Sequence, residues 1–263
     1  MKNRVKFIYG AIAFVLLFAI IGAVPFVVSK SRKAKKKIDI VSEIVPFVTE
    51  EATHCETESE TENVEVLPKK RIALTFDDGP HKKYTKEILD ILKEYDIKAT
   101  FFVVGRNAKA YPDIIKRMYE EGHEIGNHTY SHPKVREESI NDILNEIVET
   151  ENLIEELTGH KTDLFRPPNG ICTESVKTVA KERNYHIVLW TIDTLDWTCK
   201  SSKDISKCVL KEVKDGSVIL MHDFIAKNSP TPEALRTIIP KLLEEGYTFV
   251  TVSEIINKKV GTR

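Results

Sequence analysis

From residue 70 onward, short apolar runs alternate with stretches in which apolar residues recur at helical spacing. The runs are RIALTF, ATFFVVG, HEIGNH, DLFRPP, HIVLWTID, SVILMHD and YTFVTVS. The longest helical pattern covers about 138–158, and its apolar stripe comprises Ile140, Ile143, Leu144, Ile147, Leu153, Ile154 and Leu157. Alternating strands and helices predict an α/β domain with parallel strands. Seven units favour a barrel-like closure but do not by themselves exclude an open sheet.

Turn and cap residues mark the ends of several predicted helices. Gly159 is placed to end the long helix, because glycine readily adopts the left-handed conformation of a C-terminal cap. Thr85 and Thr231 precede helical patterns and are predicted as N-caps.

An uncharged apolar segment lies ahead of this region. Residues 7–28 run 22 positions without a charge, which at about 1.5 Å per residue matches a hydrocarbon layer about 30 Å thick. We expect a tail at 1–6 and an uncleaved transmembrane anchor at 7–28. The alternative is a cleaved signal peptide, but its best cut, after Ala23, has bulky Ile21 at the upstream specificity position. Residues 29–69 are basic and then acidic with few large apolar residues, which predicts a disordered linker. A folded domain at 70–258 and a tail at 259–263 complete the predicted organisation.

Composition and charge narrow the function only slightly. The 263 residues are 41% hydrophobic, enough for one sizeable domain, and the formal net charge of −1 gives no sign of nucleic-acid binding. Positive charges flank both ends of 7–28, and their count would put the C-terminal side in the cytoplasm. Long domains translocate regardless of such charges, so the count does not decide the orientation.

The four cysteines are Cys55, Cys172, Cys199 and Cys208. They form no CxxC pair, which argues against a structural zinc site. Cys199 and Cys208 are close enough in sequence for a disulfide if the domain lies outside the cell. Two unpaired thiols are the alternative.

Polar side chains cluster where the predicted strands end. These residues are Asp77, Asp78, His128, His132, Arg166, Asp193, Asp196, His222 and Asp223. The carboxyl ends of parallel strands share one rim, where catalytic groups gather in α/β folds. We interpret Asp193 as a cap of its loop, and Asp223 as either a supporting group behind the site or a turn former.

His128 and His132 are four residues apart, a spacing that suits two ligands of one metal ion. An aspartate from another strand would complete a set with open positions for water. Such a set suits Zn²⁺ or another first-row divalent ion. Two surface histidines in a loop are the alternative, and the neighbouring pair of aspartates argues against it.

The blocks TFDDGP, HTYSH, RPPNG, DTLDW and ILMHD, in this order and spacing, resemble those of the polysaccharide deacetylases, carbohydrate esterases with a NodB homology domain. The resemblance covers about residues 70–256. It implies a distorted (β/α) barrel and an enzyme that removes acetyl groups from sugars. It also implies that the reaction uses one divalent ion, with Zn²⁺ favoured and Co²⁺ or another first-row metal as the alternative.

The resemblance also implies roles for individual residues. Asp78, His128 and His132 are the implied metal ligands, and Asp77 is the implied general base. One carboxylate of the adjacent pair would therefore be neutralised by the cation, and the other would be left to accept a proton from the attacking water.

Other implied catalytic residues lie in the later blocks. His222 would protonate the leaving amine, because an imidazole titrates near neutral pH. Asp196 would orient His222, and Arg166 would pair with the base. A purely structural ion pair is the alternative for Arg166. Cys172 has no evident partner base, so we expect no nucleophilic role for it.

Three residues are the implied substrate contacts. The backbone N–H of Asn169 would stabilise the oxyanion, Leu220 would line the pocket for the acetyl methyl group, and Trp197 would wall the sugar groove. Plain core packing is the alternative for Trp197. Many relatives have tyrosine where this chain has Asn169, a difference that bears on the expected acceptor sugar and not on the expected reaction.

Together these features predict a single-pass membrane enzyme that deacetylates N-acetylglucosamine of a cell-wall glycan, with peptidoglycan favoured. The expected partners are an acetylated polysaccharide and, through the N-terminal helix, the membrane, and the catalytic domain is expected to be monomeric. An extracellular orientation follows from this function, because no such polymer is expected inside the cell. Alternatives are a chitin-type deacetylase, an acetylxylan O-esterase, or an inactive membrane-anchored glycan-binding protein.

Overall fold

The computed structural model of the protein describes residues 70–199, 201–225 and 228–258. The segments predicted at 1–6, 7–28, 29–69 and 259–263 lie outside the described residues, so the anchor and the linker stay predictions. Among the helices that the structure describes, none has the length and apolar character needed to span a bilayer.

Within this described part of the chain, eight parallel strands form one curled sheet in the order β5-β4-β3-β2-β1-β7-β6, and β8 pairs with the beginning of β1. The strands are β1 Lys70–Asp77, β2 Thr100–Val103, β3 Glu124–Asn127, β4 Leu164–Phe165, β5 His186–Ile187, β6 Ile192–Asp193, β7 Val218–His222 and β8 Tyr247–Phe249. The expectation of a parallel α/β fold is therefore confirmed.

The run HIVLWTID does not form one strand as predicted. Its beginning, β5, pairs with β4, and its end, β6, pairs with β7 at the opposite edge of the sheet. Val188 N–H donates to the Phe165 carbonyl and Thr191 N–H donates to the Val218 carbonyl, both at 2.9 Å. The run bridges the two edges, so the sheet curls into a barrel that is only partly closed.

Helices connect most of the strands. They are α1 Tyr84–Glu94, α2 Gly105–Ala110, α3 Pro112–Glu120, α4 Ile140–Thr158, α5 Glu174–Glu182, α6 Ser202–Glu212, α7 Thr231–Glu244 and α8 Val252–Lys258. Ser139 and Asp142 form a capping box at the start of α4, and Gly159 ends it with φ of 75°. The prediction for Gly159 is confirmed.

The two threonines predicted as N-caps have other contacts. Lys83 and Pro230 occupy the N-cap positions of α1 and α7, and neither helix has a side-chain cap bond. The Thr85 hydroxyl donates to Asp223 at 2.6 Å, and the Thr231 hydroxyl donates to Asp196 at 2.7 Å. Both predictions were wrong because each helix begins at or before its threonine, and the threonine hydroxyl donates to a buried carboxylate that follows β7 or β6.

Successive side chains of β1 point to opposite faces of the sheet and contribute to two different apolar clusters. Ile72, Leu74 and Phe76 belong to the large core between the sheet and the surrounding helices. Ala73 packs with Phe102 in a smaller cluster that α8 closes. Because alternate residues of a strand face opposite sides, Asp77 shares the face of Ala73 and enters the barrel interior.

Candidate active site

Asp77 ends β1 and is paired with a fully buried arginine. Arg166 Nη1 donates to Asp77 Oδ1 at 2.7 Å and to the Thr75 hydroxyl at 2.8 Å. Its other nitrogens donate to the carbonyls of Val188 and Leu189, each at 3.2 Å. These bonds supply acceptors for the N–H groups of a guanidinium that is buried where the barrel is incompletely closed. The bond to Asp77 also holds the Asp77 carboxylate in place.

The adjacent Asp78 turns in another direction because its backbone is left-handed, with φ of 75°. Asp78 Oδ1 lies 3.5 Å from His128 Nε2 and 3.4 Å from His132 Nε2. This oxygen is buried and has no hydrogen-bond partner among the described residues. The three predicted ligands thus come together around one oxygen.

The spacing of these atoms fits a bound cation. Ligand atoms held at about 2.1 Å from a tetrahedral ion are about 3.4 Å from one another, close to the separations around Asp78 Oδ1. One atom from each of Asp78, His128 and His132 lies within 4.8 Å of the others. Their nitrogen and oxygen donors suit a first-row divalent ion and leave coordination positions open.

Hydrogen bonding presents His128 in the form that a metal requires. His128 Nδ1 lies 2.6 Å from the Arg166 carbonyl oxygen, so this nitrogen donates to the carbonyl, and Nε2 is the nitrogen that faces Asp78 and is available to a metal. Burial raises the pKa of Asp78, but the nearby imidazoles, above all that of His128, outweigh burial, and the pKa falls to about 2. Asp78 is therefore ionised at neutral pH.

His222 and Asp196 form a second pair on the rim. His222 Nδ1 lies 2.7 Å from Asp196 Oδ1, and the His222 N–H donates to Asp196 Oδ2 at 2.7 Å. Burial lowers the pKa of His222, but the hydrogen bond and charge of Asp196 outweigh it and raise the pKa to about 9. Because β7 pairs with β1, His222 lies in register with Asp77.

A cleft of about 340 Å³ opens above these groups, and its lining includes all three predicted substrate contacts, Asn169, Leu220 and Trp197. Leu220 is 4% exposed and Trp197 is 60% exposed. The high exposure of Trp197 excludes plain core packing and leaves an aromatic face available at the cleft. Asn169 has φ of 56°, a left-handed conformation that asparagine tolerates better than most residues.

Trp190 also lines the cleft and was not predicted. A Cβ atom on Gly170 would lie 2.7 Å from its ring, so only glycine fits beside it. The Arg166 guanidinium carbon lies 5.7 Å from the centre of the same ring. Trp190 lies in the segment that connects β5 to β6. Because HIVLWTID forms two separate strands, this connecting segment passes beside the cleft.

The remaining rim residues take supporting positions. Asp193 Oδ1 accepts a hydrogen bond from Leu195 N–H at 3.0 Å, as expected of a residue that caps its loop. Asp223 is fully buried and accepts from the Thr85 hydroxyl, so it lies behind the site. Among the described residues, Cys199 and Cys208 are free thiols, as is Cys172, whose thiol pKa is raised by burial. A raised pKa does not favour a nucleophile.

A curled parallel barrel with a possible metal site at Asp78, His128 and His132, and with two separate carboxylate pairs on the same rim, is typical of hydrolases that use a metal ion to activate water. Residues 65–188 match the family model described as polysaccharide deacetylase. The chain belongs to the polysaccharide deacetylase family, and it is an enzyme of the deacetylase type.

Named relatives share much of the sequence. The chain is 43% identical over 70% of its length to a Bacillus cereus protein named peptidoglycan-N-acetylglucosamine deacetylase, of which it covers 67%. It is 40% identical over 71% of its length to the Bacillus subtilis peptidoglycan-N-acetylmuramic acid deacetylase PdaC, of which it covers 38%. The crystal structure of the Bc1960 peptidoglycan N-acetylglucosamine deacetylase is similar at a TM-score of 0.69 and 42% identity, with 71% of this chain and 88% of that one covered. The chain spans less than half the length of several curated relatives that it matches.

Proposed function

We propose that the enzyme removes N-acetyl groups from N-acetylglucosamine residues of peptidoglycan, with one divalent cation, preferably Zn²⁺, held by Asp78, His128 and His132. The observation that carries this proposal is the buried, unpartnered Asp78 oxygen lying 3.4 and 3.5 Å from two imidazole nitrogens. A cation at this position would polarise the acetamide carbonyl and lower the pKa of an attacking water. The names of the relatives support the choice of polymer and sugar.

The side chains around this position would divide the proton transfers between them. Asp77 is outside the three-residue ligand set, and Arg166 keeps it oriented, so it would accept the proton of the attacking water. His222 carries a proton at neutral pH and would donate it to the leaving amine. The Asn169 backbone N–H would donate to the developing oxyanion, and Leu220 would contact the acetyl methyl group. Trp197 would provide an aromatic surface for a sugar ring.

We further propose that residues 7–28 anchor the enzyme and that the catalytic domain lies outside the cell. The 22-residue uncharged segment and the extracellular location of peptidoglycan support this arrangement. Protease added to intact protoplasts should remove the catalytic domain. Full protection until the cells are lysed would place the domain in the cytoplasm.

Acetate release tests the reaction and the substrate. The full-length protein would be given peptidoglycan, chitooligomers and acetylxylan, first as purified, then with a chelator, then with Zn²⁺ or Co²⁺ restored. We expect release from peptidoglycan that stops with the chelator and returns with the ion, and mass spectrometry of the fragments should locate the lost acetyl group on glucosamine. Loss from the muramic sugar, or preference for the other polymers, would overturn the substrate. An absence of release from all of them would favour the inactive glycan-binding alternative.

The pH profile of the reaction should depend on Asp196. The pKa of His222 is raised to about 9, so deacetylation should decline as pH rises through that range and the donor loses its proton. In Asp196→Asn the raising charge is gone, and the basic limb of the kcat profile should move down by roughly two pH units. Asp204→Asn, which changes an exposed aspartate of α6, is the matched control. If the basic limb of the kcat profile stays at the same pH in Asp196→Asn, His222 is not the proton donor.

A further inference from the structure

The loop of residues 129–131, which separates His128 from His132, is hydrogen-bonded to α2 on one side and to α4 on the other. The Thr129 and Tyr130 carbonyls accept hydrogen bonds from the N–H groups of Gly105 and Arg106, each at 2.9 Å. These two donors belong to the first turn of α2. The N–H groups of Tyr130 and Ser131 turn the opposite way, toward α4, whereas Thr129 N–H donates to Asn127 Oδ1 at 2.9 Å.

On that side, one carboxylate binds the loop with three hydrogen bonds. Glu146 Oε2 accepts from the N–H groups of Tyr130 at 2.8 Å and Ser131 at 2.7 Å. Glu146 Oε1 accepts from the Ser131 hydroxyl at 2.7 Å. Hydrogen bonds from N–H and O–H groups to a carboxylate are short and strong, so this contact is geometrically restrictive.

The helix that carries Glu146 is well fixed relative to the sheet. It is 19 residues long and has both a capping box and a left-handed glycine cap. The Asn127 side chain, at the end of β3, donates to the Ile147 carbonyl at 2.9 Å. A Cβ atom on Gly105 would lie 2.5 Å from both Thr150 Oγ1 and the Tyr130 ring, so α2, the loop and α4 pack without spare room.

The loop needs such outside support because its own backbone is unfavourable. Thr129 has φ of 68° and His132 has φ of 57°. For residues with a Cβ atom these values cost energy, above all for a β-branched threonine, and they persist only where surrounding contacts impose them. The three bonds to Glu146 are among the contacts that impose this conformation and hold His132 beside Asp78.

We propose that Glu146, which lies outside all five sequence blocks of the family, is a positioning residue that sets the separation of the two imidazoles for the cation. This inference rests on the proposed cation site. Glu146 contacts neither the cation position nor the cleft, and it acts through the backbone of residues 130–131. Groups that orient metal ligands in this way typically alter metal affinity about 10- to 100-fold when they are removed.

Metal affinity measured without substrate tests the proposal. The full-length protein would be titrated with Zn²⁺ in competition with a chromophoric chelator. Glu146→Ala should bind Zn²⁺ about 10- to 100-fold more weakly. Glu146→Gln keeps one acceptor oxygen and should lie between Glu146→Ala and the wild type. Glu149→Ala, which removes the same charge from an exposed position of the same helix, should match the wild type.

Rescue separates positioning from a general loss of structure. At saturating Zn²⁺, acetate release by Glu146→Ala should return toward the wild-type rate, since the catalytic groups are intact. A Zn²⁺ affinity within twofold of wild type in folded Glu146→Ala would overturn the role of Glu146 alone. If Glu146→Ala does not fold, the Zn²⁺ affinities of Glu146→Gln and Ser131→Ala test the proposal instead, and values within twofold of wild type would overturn it. A wild-type protein that binds neither Zn²⁺ nor Co²⁺ would overturn the cation site itself, and this role with it.

Discussion

Asp77→Asn should abolish turnover and leave the cation bound. Asparagine keeps the size of the side chain and can still accept the Arg166 hydrogen bond, but it cannot take a proton from water. Loss of a general base lowers kcat by about 10²- to 10⁴-fold. The measurements are acetate release at saturating Zn²⁺ and the metal content of the purified protein.

The neighbouring residue provides a matched comparison. Asp78→Ala removes a predicted ligand, so it should lose the metal as well as the activity, whereas Asp77→Asn should lose the activity alone. Asp77→Asn protein with more than about a tenth of wild-type kcat would exclude Asp77 as the base, since a base contributes at least about 10²-fold. Loss of the ion from this variant would make Asp77 a ligand.

Two adjacent carboxylates can hold separate roles because the chain changes direction between them. Asp77 is still in β1 and faces the barrel interior, where Arg166 meets it at 2.7 Å. Asp78 has left the strand with a left-handed backbone and meets the two histidines. Each carboxylate therefore has a different cationic partner, Arg166 for one and the predicted ion for the other, which offsets their mutual repulsion.

Much of this arrangement could be predicted from local patterns. Parallel strands follow from alternating apolar runs and helices, and the shared rim follows from parallel strands, so Asp77, Asp78, His128 and His132 could be placed on one rim without coordinates. The choice of Asp78 as the third ligand comes from the resemblance to the polysaccharide deacetylases. The end of α4 could be predicted because a glycine at its C-terminus is a local signal.

Features that depend on distant partners could not be predicted. The run HIVLWTID has strand-forming residues throughout, and only the two free edges of the curled sheet divide it. Thr85 and Thr231 have the local signature of N-caps, yet buried Asp223 and Asp196 take their hydroxyls. Glu146 has no distinguishing pattern among the acidic residues of α4. Its role depends on a loop that lies beside α4 only in the folded chain.

Arg166→Met should produce a large loss of stability together with the loss of activity. Its guanidinium is fully buried, and the Asp77 carboxyl that it contacts is 5% exposed. Removing one partner of a buried ion pair leaves an uncompensated charge, and this costs about 3–5 kcal/mol. The free energy of unfolding should be measured by chemical denaturation with a chelator present, so that bound metal does not contribute.

Two further variants distinguish the buried charge from the lost side-chain volume. Arg236→Met removes an arginine from an exposed pair with Glu94, at 2.8 Å, and should cost no more than about 1 kcal/mol. Adding Asp77→Asn to Arg166→Met removes the unpaired charge and should recover part of the lost stability, because the remaining side chain is neutral. A double variant no more stable than Arg166→Met would mean that packing, and not charge, accounts for the loss. Arg166 would then stabilise the fold by filling the partly closed barrel and not by neutralising the base.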